Sequence, residues 1–247
     1  MLQLHQFRHS AFCEKVRLVL AAKQLDYTVV EVLPGLGQLQ LFRLSGQRQV
    51  PVLVDGAAVV ADSTAIALHL EQRHPEPSLL PEDPAQRARV LLLEDWADTA
   101  LAAGCRLALV QAAAADPVLR AALLPEATPG PLRQLVAGLP GAVGEAMADA
   151  VAAGELEHLQ ANLELLLALV TAAPHLVGDR LSLADLAVAA QLSLLKFPAS
   201  AGAPLAGRGA PGVADNPMLE PLFSWRDRIA AQAGRLPEPA PAPAPAA

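Results

Sequence analysis

The chain has 247 residues, enough for one large domain or two modest ones, and a formal net charge of −7. This acidic balance, with no long basic run, argues against a protein that binds nucleic acid. Only 3% of the residues are aromatic, which argues against a β-sandwich or barrel. Alanine supplies 51 residues, 12 among the first 100 and 39 among the remaining 147. Because alanine is the best helix former, the sequence predicts two unlike parts, the second nearly all helix.

The first 74 residues alternate between strand and helix patterns. A short strand is predicted over residues 2–7, a helix over residues 12–23 and a second strand over residues 27–33. The helix between them makes the two strands parallel. Residues 37–44 can form a short helix that leads away from this unit.

A β-hairpin follows, because Asp55-Gly56 separates two short apolar runs over residues 50–54 and 57–61. The last helix of this part is predicted over residues 64–73, with Asp62 or Ser63 as its N-cap. A right-handed βαβ unit joined to an antiparallel hairpin is the layout of a thioredoxin-like domain. The sequence therefore predicts an α/β thioredoxin-like domain over residues 1–74.

Proline marks the boundaries of the second part. Residues 75–84 contain four prolines and are predicted to be a linker between domains. Residues 85–235 are predicted to form an all-α domain, with helices over residues 85–115, 117–124, 145–172, 182–196 and 217–233. Residues 125–144 carry four prolines and four glycines, which predicts a long mobile loop. The proline- and alanine-rich tail over residues 236–247 is predicted to be disordered.

The cellular setting is predicted from charges, termini and cysteines. The longest stretch without a charge has 14 residues and contains Pro174, whereas a membrane-spanning helix needs about 20 apolar residues. The first residues show no basic segment followed by an apolar one, so no secretory signal is predicted. Two cysteines are too few for a disulfide framework and fit a reducing compartment. We therefore expect a cytoplasmic protein that does not associate with membranes.

Three segments of the first domain should meet at one end of its sheet. Ser10 precedes the first helix, whose N-terminal N–H groups favour negative charge. A proline at a strand start, as in Val50-Pro51, leaves the backbone of the preceding residue free to pair with an extended peptide. Asp62-Ser63 can bind an ammonium group and a carboxylate. Together they predict a site for a peptide thiol, with its sulfur near Ser10 and its carboxylate near Ser63.

At these segments the chain resembles the cytosolic glutathione transferases of the serine type. The resemblance rests on the residues at 10–17, 49–53, 62–66, 80–83 and 178–185, in this order and spacing, and it covers residues 1–235. It implies a thioredoxin-like glutathione-binding domain over residues 1–74 followed by an all-helical substrate domain over residues 85–235, with glutathione as co-substrate, no metal, and commonly a homodimer.

The resemblance also implies a role for individual residues. Ser10 would be catalytic, donating a hydrogen bond to the glutathione sulfur. Val50 would pair with the cysteinyl backbone, Gln49 would reach the glycyl carboxylate, and Asp62 with Ser63 would hold the γ-glutamyl end. The glutathione-binding set implied in this way is Phe12, Gln49, Val50, Pro51, Asp62 and Ser63.

Simpler interpretations exist for several of these residues. Ser10 and the Asp62-Ser63 pair can act purely as helix caps. Cys13 is expected to be a packed residue of the first helix rather than a nucleophile, because Ser10 stands where a redox pair would need its first cysteine. His9 either touches the substrate or lies on a surface loop. The scattered histidines predict no metal site.

The sequence thus predicts a glutathione transferase, in which the glutathione thiolate attacks a small apolar electrophile in a detoxification reaction. Ser10 favours conjugation or peroxide chemistry over thiol transfer, while Cys13 leaves a glutathione-dependent reductase as a weaker alternative. The alternative from another class is a non-enzymatic protein of the same fold that binds a ligand or a protein partner. The substrate itself is not predicted, because specificity lies in the variable wall of the helical domain.

Overall fold

The computed structural model describes residues 1–33, 36–124, 128, 130–138 and 142–234. Its first part consists, in chain order, of β1 (Leu2–Gln6), α1 (Ala11–Ala22), β2 (Tyr27–Glu31), α2 (Leu36–Ser45), β3 (Val52–Asp55), β4 (Ala58–Ala61) and α3 (Ser63–Arg73). β1 pairs parallel with β2 and antiparallel with β3, and β3 pairs antiparallel with β4, so the strand order is β2-β1-β3-β4. The predicted thioredoxin-like layout is confirmed.

The second part is helical. It consists of α4 (Pro84–Trp96), a π-helical turn (Ala97–Leu101), α5 (Ala102–Ala115), α6 (Pro117–Ala122), α7 (Gly130–Ala137), α8 (Ala142–Ala172), α9 (Leu183–Leu195) and α10 (Glu220–Gln232), with 3-10 turns at Ala199–Ala201 and Pro217–Leu219. The π turn divides the helix that was predicted over residues 85–115. No helix among the described residues is long and apolar enough to cross a membrane.

The prediction of a loop over residues 125–144 was wrong, because α7 lies inside this range and α8 begins at Ala142. Gly130 and Pro131 occupy the first turn of α7, where a proline removes no intrahelical hydrogen bond. Prolines at this position therefore start a helix instead of breaking one. The predicted disordered tail over residues 236–247 lies outside the described residues.

The connection between α3 and α4 is fixed to the first part by a buried lysine. The ammonium of Lys23 donates to the carbonyl oxygens of His74 at 2.7 Å and Pro77 at 3.1 Å, and pairs with Glu71 at 2.7 Å. The amide of Leu183 donates to the carbonyl of Leu79 at 2.9 Å, which ties the same connection to α9. This segment therefore joins the two parts of the chain as an ordered element.

The centre of the helical part is α9, which contacts α1, α4, α5 and α10 and buries every residue except Ser193. Its start is held by Asp185, whose carboxylate accepts from the amide of Ser182 and the amide of Leu176, both at 2.8 Å. Alanines on α9 allow neighbouring helices to approach closely, which accounts for part of the alanine surplus. α9 in turn supports α1, and α1 begins directly after Ser10.

Candidate functional site

A cleft of about 530 Å³ brings the three predicted segments together. We call it the polar cleft. The predicted site residues that line it are Ser10, Phe12, Gln49, Val50, Pro51, Asp62 and Ser63. His9 and Cys13 do not line this cleft. The whole glutathione-binding set implied by the resemblance therefore lies on one cavity, although the set comes from three separate stretches of sequence.

Ser10 occupies the turn between β1 and α1. Its backbone amide donates to the carbonyl of Phe7 at 3.0 Å, and its hydroxyl oxygen accepts from the amide of Cys13 at 3.4 Å. Ser10 is thus the N-cap of α1, as one of the two interpretations expected. A hydroxyl that accepts through a lone pair keeps its own hydrogen for another acceptor. The capping contact is therefore compatible with donation into the polar cleft.

Val50 and Pro51 line the cleft just before β3. The Val50–Pro51 peptide bond is cis, and β3 begins only at Val52. Val50 therefore precedes the hydrogen-bonded ladder of β3 with β1 and β4. Val50 is half-buried and Pro51 is buried, whereas Gln49 is exposed. A peptide lying along the cleft would meet backbone at Val50 and a flexible amide side chain at Gln49.

The start of α3 also lines the cleft, through Asp62 and Ser63. Asp62 caps the helix, since its Oδ1 accepts from the amides of Thr64 and Ala65 at 3.0 Å each. Its φ of +81° lies in a region that is costly for a residue other than glycine, and such strain is common at functional sites. Ser63 is buried, and its hydroxyl donates to Asp98 Oδ2 at 3.2 Å. The sequence did not predict this donation to a carboxylate of the helical part.

Behind Ser63 lies a buried charge network that the sequence analysis missed. The Lys15 ammonium contacts Glu94, lies 2.5 Å from Asp98 Oδ2, and donates to Thr64 Oγ1 at 3.1 Å. The Lys15 side chain is fully buried, and those of Glu94 and Asp98 are 3% and 12% exposed. One ammonium thus faces two carboxylates, which leaves an excess of negative charge beside Ser63.

Asp98 stands in the π-helical turn between α4 and α5, and such turns occur often at functional sites. Its Oδ1 is buried without a hydrogen-bond partner among the described residues. A sequence signal for Lys15 existed, because Ala11, Lys15 and Leu18 share one face of α1 at helical spacing. A lysine on that buried face requires an acidic partner, but the sequence does not indicate which one.

Two arginines complete the charges of the polar cleft. Arg106 comes from α5, and its guanidinium lies over the ring of Phe12 at 5.7 Å from the centroid. Arg48 lies over the ring of Phe42 at 5.6 Å. Both are cation–π distances, so the aromatic rings hold the guanidinium groups in place. The cleft therefore presents two positive side chains together with the carboxylate of Asp62.

Cys13 is fully buried on α1. Burial raises the pKa of its thiol to about 11, although the nearby charge of Arg17 acts in the opposite direction. A thiol with that pKa is protonated at neutral pH and is a poor nucleophile. The structure therefore places Cys13 as the packed residue that the sequence analysis favoured.

His9 lies between two further cavities. Its ring makes edge-to-face contacts with Phe7 at 5.8 Å and with Phe197 at 6.1 Å, which link the β1–α1 turn to the helical part. A cavity of about 480 Å³ between α1 and α9 is lined by Ser10 and His9, among others. A cavity of about 620 Å³ lies beside α6 and α7 and also reaches His9. We call the second one the arginine pocket, after Arg8 and Arg133 in its wall.

Comparison with known sequences finds the family described as "Glutathione S-transferase, N-terminal domain" over residues 4–78. Glutathione S-transferase Z1 of Arabidopsis thaliana is 38% identical over 90 residues, which cover 35% of this chain and 41% of that protein. Maleylacetoacetate isomerase of Mus musculus is 37% identical over 98 residues, covering 37% of this chain and 45% of that protein. The chain thus matches less than half the length of these curated relatives.

Among solved structures, the β-etherase LigF of Sphingobium superposes with a TM-score of 0.68 over 95% of this chain and 96% of that chain, at 23% identity. The likeness in fold therefore extends through both parts of the chain, whereas the family model matches residues 4–78.

Proposed function

Because the chain is a member of the cytosolic glutathione S-transferase family, we propose that it binds glutathione in the polar cleft and activates its thiol for attack on a small electrophile. The observation that carries this proposal is the meeting of Ser10, Val50 and Ser63 on one cavity. A protein that kept the fold only as a scaffold would not need these three groups in one place.

The charges of the cleft complement those of the tripeptide. Glutathione carries two carboxylates and one ammonium group at neutral pH, and the cleft presents Arg48, Arg106 and the Asp62 carboxylate. The γ-glutamyl end would lie at Asp62 and Ser63, where Asp98 adds negative charge from behind. The glycyl carboxylate would lie at the opposite end, near Arg48 and Gln49.

Ser10 is proposed to be the catalytic residue. A free thiol has a pKa near 8.5, and only the thiolate attacks electrophiles at a useful rate. Lowering that pKa by one unit requires about 1.4 kcal/mol of selective thiolate stabilisation. The hydroxyl of Ser10 can donate to the sulfur, and the N-terminus of α1 adds partial positive charge. Since Cys13 is buried and protonated, conjugation is favoured over thiol transfer.

The electrophile is proposed to bind beside His9, in the cavities between the first part and the helical part. Apolar side chains there would hold it against the sulfur at Ser10. Detoxification as the biological role, a cytoplasmic location and a homodimeric assembly are further parts of the proposal, and these three rest on the family alone.

Retention on immobilised glutathione tests the proposal. We expect the protein to be retained and to elute with free glutathione. The variant Ser63→Ala should bind about tenfold more weakly, because it loses a polar contact at the γ-glutamyl end. Thr171→Ala is the matched control, since the Thr171 hydroxyl donates to the Leu167 carbonyl on α8 and does not line the polar cleft. Failure of the unmodified protein to bind would overturn the proposal.

A further inference from the structure

We propose that Arg106 is a second catalytic residue of the polar cleft, and that its guanidinium binds an acceptor oxygen of the electrophile while negative charge develops on that oxygen. The inference rests on the proposed function and names the class of electrophile, which is a compound whose attacked carbon is conjugated with a carbonyl or nitro group. Arg106 belongs to α5 and lines the polar cleft together with Ser10. Among the described residues, it is the only one that the helical part contributes to the wall of this cleft.

Arg106 is held where the sulfur is proposed to lie. Its guanidinium carbon is 5.7 Å from the centroid of the Phe12 ring, a cation–π distance. Phe12 stands in the first turn of α1, two residues after Ser10, and both side chains line the cleft. The guanidinium is therefore positioned over the start of α1, close to the residue that is proposed to hold the thiolate.

The charge of Arg106 is not neutralised within the described part of the chain. Arg106 makes no hydrogen bond and no ion pair with another described residue, and it is exposed. Asp62 carries the only carboxylate on the described wall of the cleft, and its Oδ1 accepts from two amides of α3. A guanidinium has five N–H donors in a planar fork. Those of Arg106 can therefore bind an oxygen of a ligand in the cleft.

The two ends of glutathione are proposed to bind elsewhere in the cleft. The γ-glutamyl end is assigned to Asp62 and Ser63, and the glycyl carboxylate to Arg48 and Gln49. Arg48 lies over Phe42 of α2, so the two arginines of the cleft are held by different elements. Arg106 is thus left for the charge that appears during the reaction, because neither end of the tripeptide requires it.

Addition of the thiolate to an unsaturated ketone shows what this charge is. The sulfur bonds to the β-carbon, the π electron pair of the carbon–carbon double bond moves towards the carbonyl, and the carbonyl oxygen becomes an enolate oxyanion. The α-carbon then takes up a proton from solvent, which replaces the proton that the thiol released. A guanidinium keeps its own proton and its charge, so it can stabilise the oxyanion by hydrogen bonding alone.

Displacement of a halide from a saturated carbon is the contrasting reaction. The sulfur bonds to the carbon, the carbon–halogen bond breaks, and the halide leaves with the bonding electron pair. No oxygen of the electrophile becomes negative, so a donor for an oxyanion has nothing to stabilise. Arg106 should therefore accelerate conjugate addition selectively, whereas a residue that acts on the sulfur should accelerate both reactions.

Two neutral electrophiles with a phenyl ring test the inference, trans-4-phenyl-3-buten-2-one and benzyl chloride. The measured quantity is kcat/KM for the electrophile at saturating glutathione, divided by the uncatalysed rate constant for the same pair of reactants. This ratio removes the difference in intrinsic reactivity. Arg106→Leu is the main variant, since leucine is a good helix former and still covers the ring of Phe12.

We expect Arg106→Leu to lower the ratio at least about tenfold for the ketone and less than about twofold for benzyl chloride, since removing one oxyanion donor is costly for catalysis. Arg106→Lys should recover part of the loss for the ketone, because it restores the charge without the planar fork. Arg89→Leu is the control, since Arg89 is an exposed arginine on α4 that lines none of the three cavities. It should change neither ratio.

Calorimetric titration of the same variants with glutathione separates catalysis from binding, and Arg106→Leu should leave the Kd unchanged within about twofold. An equal loss for both electrophiles, no loss for the ketone, or weaker glutathione binding with an unchanged preference would overturn this inference and leave the proposed function intact. Conjugation of benzyl chloride but not of the ketone by the unmodified protein would do the same. Conjugation of neither electrophile would overturn both.

Discussion

The ammonium of Lys15 in α1 lies 2.5 Å from the carboxylate of Asp98 in the π-helical turn, in an almost solvent-free space between the sheet-bearing part and the helical part. Asp98 also accepts from the Ser63 hydroxyl, so this ion pair reaches the end of the polar cleft. The ion pair therefore connects the carboxylate behind Ser63 to the interface between the two parts. Stability and glutathione binding should both depend on it, in ways that can be separated.

Lys15→Met should lower the free energy of unfolding by about 3–5 kcal/mol, because it leaves two buried carboxylates without their ammonium partner. Urea unfolding measures this directly. Adding Glu94→Gln to Lys15→Met should recover part of the loss by removing one of the uncompensated charges. Arg87→Met, an exposed change on α4, is the control and should have little effect. A loss below about 1 kcal/mol in Lys15→Met would contradict the assigned network.

Asp98→Asn should weaken glutathione binding about three- to tenfold, because the negative charge behind Ser63 stabilises the γ-glutamyl ammonium. Calorimetric titration with glutathione and with cysteinylglycine, which lacks the γ-glutamyl residue, separates this effect from a general one. Binding of cysteinylglycine should not change in the variant. Asp95→Asn, an exposed neighbour on α4, is the control. Equal weakening for both peptides would show that Asp98 acts only on the fold.

Neither cysteine should react with a disulfide reagent in the native protein at pH 8. Cys13 and Cys105 are fully buried, and burial raises the pKa of both thiols, that of Cys13 to about 11. Thiol counting before and after denaturation in guanidinium chloride measures this, with no reactive thiol expected before and two after. A rapidly reacting native thiol that glutathione oxidises would support the reductase alternative instead.

Asp55 should contribute a pH-dependent part of the stability. The hydrogen bond from His69, at 3.0 Å, is the main reason that the pKa of Asp55 lies below its ordinary value, and Arg73 adds to the effect. A lowered carboxyl pKa stabilises the folded state above the unfolded-state value of about 3.9, and this stability is lost as the pH falls through the folded-state value. Asp55→Asn should therefore unfold with a weaker pH dependence between about pH 5 and 3.

Urea unfolding of both proteins at a series of pH values measures that difference. The curves of the free energy of unfolding should converge as the pH falls below the range in which Asp55 is ionised. Curves that stay parallel throughout would mean that the His69–Asp55 contact has no electrostatic role in stability.

The fold of the first part could be predicted because its signals are local. Asp55-Gly56 predicts a hairpin without reference to the rest of the chain, and helical spacing identifies α1. Residues 125–144 were misread for the same reason, since proline and glycine content was taken as local evidence of a loop. Pro131 lies in the first turn of α7, where a proline favours the start of a helix instead of a loop.

The sequence predicts only those residues of the candidate site that belong to a recognisable local segment. Ser10, Val50-Pro51 and Asp62-Ser63 each lie at an element boundary that the sequence shows. Arg106 and Arg133 come from helices whose packing brings them to the cavities, and Asp98 reaches the Ser63 hydroxyl from the π-helical turn. No local pattern of the sequence indicates these placements. The sequence left the wall of the electrophile site open, and in the structure the wall of the arginine pocket includes the guanidinium groups of Arg8 and Arg133.

The central claim is that Ser10 stabilises the glutathione thiolate, and the ionisation of bound glutathione tests it most directly. Ultraviolet difference absorbance of the thiolate, followed against pH, gives the pKa of the bound thiol in the unmodified protein and in Ser10→Ala. We expect the pKa of the bound thiol to lie at least about one unit below that of a free thiol. In Ser10→Ala this pKa should rise most of the way back to the free value while glutathione still binds. The same bound-thiol pKa in both proteins would contradict it.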